Sequence, residues 1–385
     1  MVNRARAVVL CAVFVLASAF GAGNALASPC VYHRATKVVT ATATEALDAA
    51  VVRSGRAIRF RVDGTTYRCG RATVTNTNRI DVTGTGVSGD VFWANFVTID
   101  ESQGRLAPGA KLETTGASEI EVRVSLTPGI SAFPPNDQFP LHLTYVGTSR
   151  RDVERIGVRG LDLNGDGDVD VRRVSQPFEG YSLYGLGGAD VLSGAGSRAT
   201  GLPVQAPVTL EGGPGNDLLR GGKGNDSVVG EGGADKLFGG DGDDVFGSPA
   251  PDGADTMSGG LGIDAADYGG RSGAVNVSLD ALANDGAALE HDNVGPSYDV
   301  EKVVGGAGDD TLVGHSGPNI LKGGAGADTI TGSLGQDELY GEAGDDTLHA
   351  NDEIHDIVDG GADNDSAVVD DQDTVADVEF VTLIT

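Results

Sequence analysis

A period of nine residues governs the second half of this 385-residue chain. From Gly212 four nonapeptides follow without a gap: GGPGNDLLR, GGKGNDSVV, GEGGADKLF and GGDGDDVFG. From Gly305 five more follow: GGAGDDTLV, GHSGPNILK, GGAGADTIT, GSLGQDELY and GEAGDDTLH. Single degenerate copies stand at Gly185 (GLGGADVLS) and Gly259 (GGLGIDAAD). In the gap-free copies the eighth position is always apolar: Leu219, Val228, Leu237, Phe246, Leu312, Leu321, Ile330, Leu339 and Leu348. One apolar residue per short strand cannot make a core alone, but stacked turns line these residues into a thin continuous one. The Gly-x-Gly-x-Asp portion makes the turn, where glycine supplies positive φ and close backbone approach. The expected fold is all-β, a parallel β-roll preceded by a smaller β-rich N-terminal region. A flexible Gly/Asp linker would have no reason to keep an apolar eighth position.

Charge follows the same division. Residues 1–173 hold 20 Lys+Arg and 17 Asp+Glu, whereas residues 174–385 hold 7 and 39. Nucleic acid is excluded as a partner of the second half, because phosphates are gripped by Lys and Arg. A disordered acidic tail would lack regularly spaced apolar residues. The pattern therefore points to carboxylates neutralised by bound cations. Two nonapeptides complete one coil, so aspartates at position six recur every 18 residues on one edge. Asp217 then pairs with Asp235, Asp226 with Asp244, Asp310 with Asp328, Asp328 with Asp346, and Asn319 with Asp337. Carboxylates and turn carbonyls are hard oxygen ligands in a flexible loop, the donor set that suits Ca²⁺.

Residues 185–349 resemble the repeats-in-toxin (RTX) calcium-binding family. The flanks resemble secreted bacterial members: Asp267-Tyr268, the segment Val275 to Val304, and the tail Gly360 to Val381. The resemblance implies calcium held by position-six carboxylates, here Asp190, Asp217, Asp226, Asp235, Asp244, Asp264, Asp310, Asp328, Asp337 and Asp346. It also implies backbone ligands at the turn glycines Gly213, Gly215, Gly224, Gly242, Gly308, Gly324 and Gly326. Several positions depart from the pattern. Asn319 replaces an aspartate, Glu231 and Glu342 replace glycines, and Gly253 falls where Asp235 wants a downstream partner. The spacing from Gly212 to Gly305 is not a multiple of nine, so the two arrays need not form one unbroken coil. A second calcium candidate is Asp162-Leu-Asn164-Gly-Asp166-Gly-Asp168-Val-Asp170, with oxygen side chains at alternate positions as in an EF-hand loop. Arg173 stands where that loop needs its last carboxylate, so an ordinary acidic turn is the competing reading.

The N-terminus reads as a secretory signal. Arg4 and Arg6 precede the apolar run Val8 to Phe20, and Ala25-Leu26-Ala27 places small residues at a cleavage site after Ala27. The run is too short for a comfortable membrane span and no second one follows, so the cleaved chain should have no membrane span. Cys11 leaves with the signal, and Cys30 and Cys69 remain as a candidate disulfide in an oxidising compartment. The expected organisation is a signal peptide over 1–27, a β-rich domain over 28–175, a first calcium-binding block over 176–274, an insert over 275–304, and a second block with a C-terminal cap over 305–385. Within 28–175, Arg56–Val62, Glu119–Leu126 and Leu141–Val146 alternate as strands, Thr44 to Arg53 reads as a short helix, and Pro134-Pro135-Asn136-Asp137 marks a loop. None of the six histidines forms His-Glu-x-x-His, and Gly-x-Ser-x-Gly is absent. The leading expectation is a secreted, non-enzymatic calcium-binding protein, structural or adhesive. The alternative is an extracellular enzyme with its site in 28–175. A β-ladder running continuously from that region into the roll would favour the structural rod.

Overall fold

The computed structural model describes residues 30–44, 48–54, 56–62, 64–73, 79–85, 95–100, 121–127, 141–157, 159–162, 171–173, 180–198 and 200–384. The segment 1–27, the loop 134–137 and Asn164, Asp166, Asp168 and Asp170 lie outside the described residues.

Short strands stack into three sheets of twelve, fifteen and six strands. The fifteen-stranded sheet begins with antiparallel strands Thr65–Thr73, Ala57–Val62 and Asp48–Ser54. It then runs in parallel through Asn95–Asp100, Leu141–Val146, Gly180–Tyr184 and Val208–Glu211 into the repeats. It continues to Thr374–Ala376. One ladder thus joins the N-terminal region to the roll. The expected helix at Thr44–Arg53 is corrected: Asp48–Ser54 is a strand, paired on both sides. Two consecutive β-branched residues, Val51 and Val52, favour the pleated strand over a helical turn. Cys30 and Cys69 are bridged, with Cα atoms 4.9 Å apart, tying strand Cys30–His33 to strand Thr65–Thr73.

The core is a set of columns that follow the eighth position. Register aligns Leu219, Leu237 and Met257 in one sheet, Val228, Phe246, Ala266, Val303, Leu321 and Leu339 in the second, and Val277, Leu312, Ile330 and Leu348 in the third. All of them are fully buried. The two repeat arrays share the fifteen-stranded sheet, which crosses from Ala265–Asp267 to Lys302–Val304. The other face changes sheet. The twelve-stranded sheet ends at Asn293–Val294, and the six-stranded sheet starts at Asn276–Ser278. The junction is packed by buried Tyr268 and Arg271. The Arg271 guanidinium forks onto Glu290 at 3.0 and 2.9 Å and donates from Nε to the Ser248 carbonyl at 2.7 Å.

Candidate metal centre

Each turn is fastened to the preceding one by one oxygen of its position-six carboxylate. Asp217 N donates to Asp235 Oδ1 at 2.6 Å and Asp226 N to Asp244 Oδ1 at 2.7 Å. Asp310 N donates to Asp328 Oδ1 at 2.7 Å, Asp328 N to Asp346 Oδ1 at 2.8 Å, and Asn319 N to Asp337 Oδ1 at 2.8 Å. These aspartates are all buried. The other oxygen is not used in this way. Oδ2 of Asp217, Asp235, Asp244, Asp264, Asp328, Asp337, Asp346 and Asp365 is buried without a hydrogen-bond partner. A buried anionic oxygen without a partner is strongly unfavourable, so a whole row of them demands a counter-charge.

The position of these oxygens says what that charge must be. The space beside Gly323 is bounded by Asp328 Oδ2 and, 2.8 Å from where a Cβ would stand, by the carbonyl oxygen of Gly341 in the next turn. Gly212 has the same surroundings from Asp217 Oδ2 and Gly230 O. A β-carbon would fill this cradle of carboxylate and carbonyl oxygens. At position four, Gly215 is required by close approach, since a Cβ there would overlap the Gly188 carbonyl. Gly324, at position two, adopts φ 113°. The remaining turn glycines expected as backbone ligands sit in the same stacked turns.

Burial is the largest cause that pushes Asp235, Asp244 and Asp337 up to about 7, and Asp217, Asp226, Asp264 and Asp328 up to about 6. Neighbouring carboxylates reinforce the shift at Asp235 and Asp328, through Asp255 and Asp217 in one case and Asp310 and Asp346 in the other. Among the described residues no group of three or more His, Cys, Asp and Glu side chains converges as a metal site. The oxygens brought together are instead those of one or two carboxylates and of turn carbonyls, an all-oxygen set that fits Ca²⁺.

The ladders extend beyond the residues expected from the repeats. Asp152 N donates to Asp190 Oδ1 and Asp190 N to Asp217 Oδ1, each at 2.6 Å. The expectation that Asp235 lacks a downstream partner is corrected. Its N–H meets Asp255 Oδ1 at 2.8 Å, and Asp255 N meets Asp292 Oδ1 at 2.9 Å. Asp255 lies 20 rather than 18 residues on, because the intervening turn is longer. Glu301, Asp356, Asp365, Asp373 and Glu379 continue the other rows. The signal that finds Asp255, Asp292, Glu301, Asp356 and Asp365 is an acidic residue two places before a core residue, as in Asp292-Asn-Val294 and Glu301-Lys-Val303. Aligning on glycines hides it. In the EF-hand-like segment, buried Asp162 has Arg155 Nη1 4.0 Å away.

An all-oxygen ladder on a parallel β-roll defines a calcium-binding repeat protein. Residues 211–246, 304–339 and 323–353 match the RTX calcium-binding nonapeptide repeat (4 copies). The chain therefore carries an RTX calcium-binding region across residues 211–353, in a repeat family that is structural rather than catalytic and typical of secreted proteins. No curated protein matches the chain. Among the described residues no helix is long and apolar enough to cross a membrane.

Proposed function

We propose that the mature chain is an extracellular structural rod whose roll is completed by calcium. Export follows from the signal-like segment 1–27, with cleavage after Ala27 leaving Ser28 as the first residue. Residues 28–175 form the β-rich base, 176–274 and 305–385 the two calcium-binding blocks, and 275–304 the insert between them. The observation that carries the reading is the rows of buried, unpartnered Oδ2 atoms, on a roll that shares its fifteen-stranded sheet with the N-terminal strands. Asp217, Asp235, Asp244, Asp264, Asp328, Asp337 and Asp346 would hold the ions, with carbonyl oxygens of the adjoining turns. Bound calcium supplies positive charge that offsets their repulsion. The chain's own part is to fix one carboxylate oxygen by a backbone N–H and leave the other facing the next turn's carbonyl.

Equilibrium dialysis of the secreted protein against calcium tests this reading. Several ions should bind per chain, with affinities in the range of extracellular modules, about 10⁻⁴–10⁻³ M. A chain that stays calcium-free at millimolar calcium would contradict it. Intact mass of the exported protein checks the predicted start at Ser28.

A further inference from the structure

The junction between the repeat blocks has two acidic edges, and they are neutralised differently. On one edge the chain supplies its own partners. Asp292 Oδ2 accepts the Tyr268 hydroxyl at 3.0 Å, and Arg271 forks onto Glu290 while standing 3.8 Å from Asp252 Oδ1. On the other edge lies Asp264, fully buried at the end of the turn that starts at Gly259. Its Oδ1 accepts Asp244 N at 2.8 Å, while its Oδ2 has no hydrogen-bond partner. The charged groups acting on it are Glu301, Asp299 and Asp243, all acidic.

In the regular repeats the space beside the first glycine is closed by a carbonyl of the next turn's first glycine, as Gly341 O closes the space beside Gly323. Beside Gly259 that place is taken by the carbonyl oxygen of Asp299, which belongs to no repeat. Asp299 Oδ1 is also buried without a partner, while its Oδ2 accepts the Ser258 hydroxyl at 2.6 Å. Glu301 Oε2 accepts Asp264 N at 3.0 Å, so the segment is already registered on the turn.

We propose that Asp264 and Asp299 form a calcium site that clamps the inserted segment onto the first repeat block. The donors are Asp264 Oδ2, the Asp299 carbonyl and Asp299 Oδ1, with Glu301 adding negative charge beside them. Such a site makes the passage from one block to the other calcium-dependent on this edge and calcium-independent on the Arg271 edge. The proposal rests on the calcium-binding reading of the roll.

Native mass spectrometry of the mature chain at fixed free calcium counts the ions. Asp299→Ala should lose one calcium relative to the parent, Asp264→Asn at least that ion, and the double variant should lose no more than Asp264→Asn alone. Asp328→Ala, in the second block, should add its own loss to either. Retention of the parental count by Asp299→Ala, or a larger loss in the double variant than in Asp264→Asn alone, would overturn the proposal. If Asp299→Ala does not fold, Asp299→Asn keeps an acceptor for Ser258 and should need a several-fold higher calcium concentration to reach the parental count; an unchanged requirement would equally overturn it. A parent that binds no calcium at all would instead sink the reading of the roll itself.

Discussion

Asp328 and Asp310 occupy the same place in matching repeats, yet their second oxygens differ. Asp310 is the first rung of its row, and its Oδ2 accepts Gly306 N at 2.6 Å. Asp328 has carboxylates one turn away on both sides, Asp310 and Asp346, and its Oδ2 has no partner. Asp328→Ala should therefore lose more bound calcium, and raise the calcium midpoint of folding further, than Asp310→Ala. Calorimetric stoichiometry on both variants checks this, and equal losses would mean that stacked turns do not share ions. The raised carboxyls also set a pH dependence. Each binds a proton more tightly folded, at about 6 to 7, than at its ordinary 3.8. In chelator, their contribution to stability is fully present below about pH 4 and is lost as pH rises through 6 to 7. Calcium-free protein should thus keep more of the roll's β-signal at pH 5 than at pH 7.5. With calcium present the order reverses, because protons compete for the same oxygens, and the calcium midpoint should rise on acidification from pH 7.5 to 6. A β-signal in chelator that does not change across this range would contradict the assignment.

At the scale of the turn and strand, the sequence was legible wherever one residue type did one job. The apolar eighth position located the core columns, and the 18-residue aspartate spacing located the hydrogen-bonded rows. Ile330→Ala should cost about 2–5 kcal/mol of stability measured in calcium, since its side chain is fully buried, whereas Thr329→Ala on the exposed side should change little. Gly324→Ala should also destabilise, by about 1–3 kcal/mol, because its φ of 113° and the nearby Gly306 carbonyl leave no place for a methyl group. What was not legible depended on contacts between segments of unequal length. Asp255 joins its row only because the turn before it bulges by two residues, and Glu301 joins only after the chain has made the insert. The strand at Asp48–Ser54 was hidden for a similar reason. The helix formers Glu45, Ala46, Leu47, Ala49 and Ala50 suit a helix, but pairing with Ala57–Val62 and Asn95–Asp100 decides otherwise.

Across the whole molecule, two means of stabilisation are separated along the chain. The base is tied by the Cys30–Cys69 bridge, which spans 39 residues and should contribute about 2–4 kcal/mol. Reduction should lower the melting of the base while leaving the calcium stoichiometry of the roll unchanged, which differential scanning calorimetry with and without reductant can resolve. The roll has 39 acidic residues against 7 basic ones over residues 174–385, and the carboxylates of each buried row follow one another turn by turn. Without a counter-ion these charges oppose the compact state. The most direct measurement is therefore far-ultraviolet circular dichroism of the purified mature chain at neutral pH, first in excess chelator and then through a calcium titration. The account predicts that most of the β-signal of the roll is missing in chelator and appears cooperatively as calcium is added; full β-signal in chelator, unchanged by calcium, would contradict it.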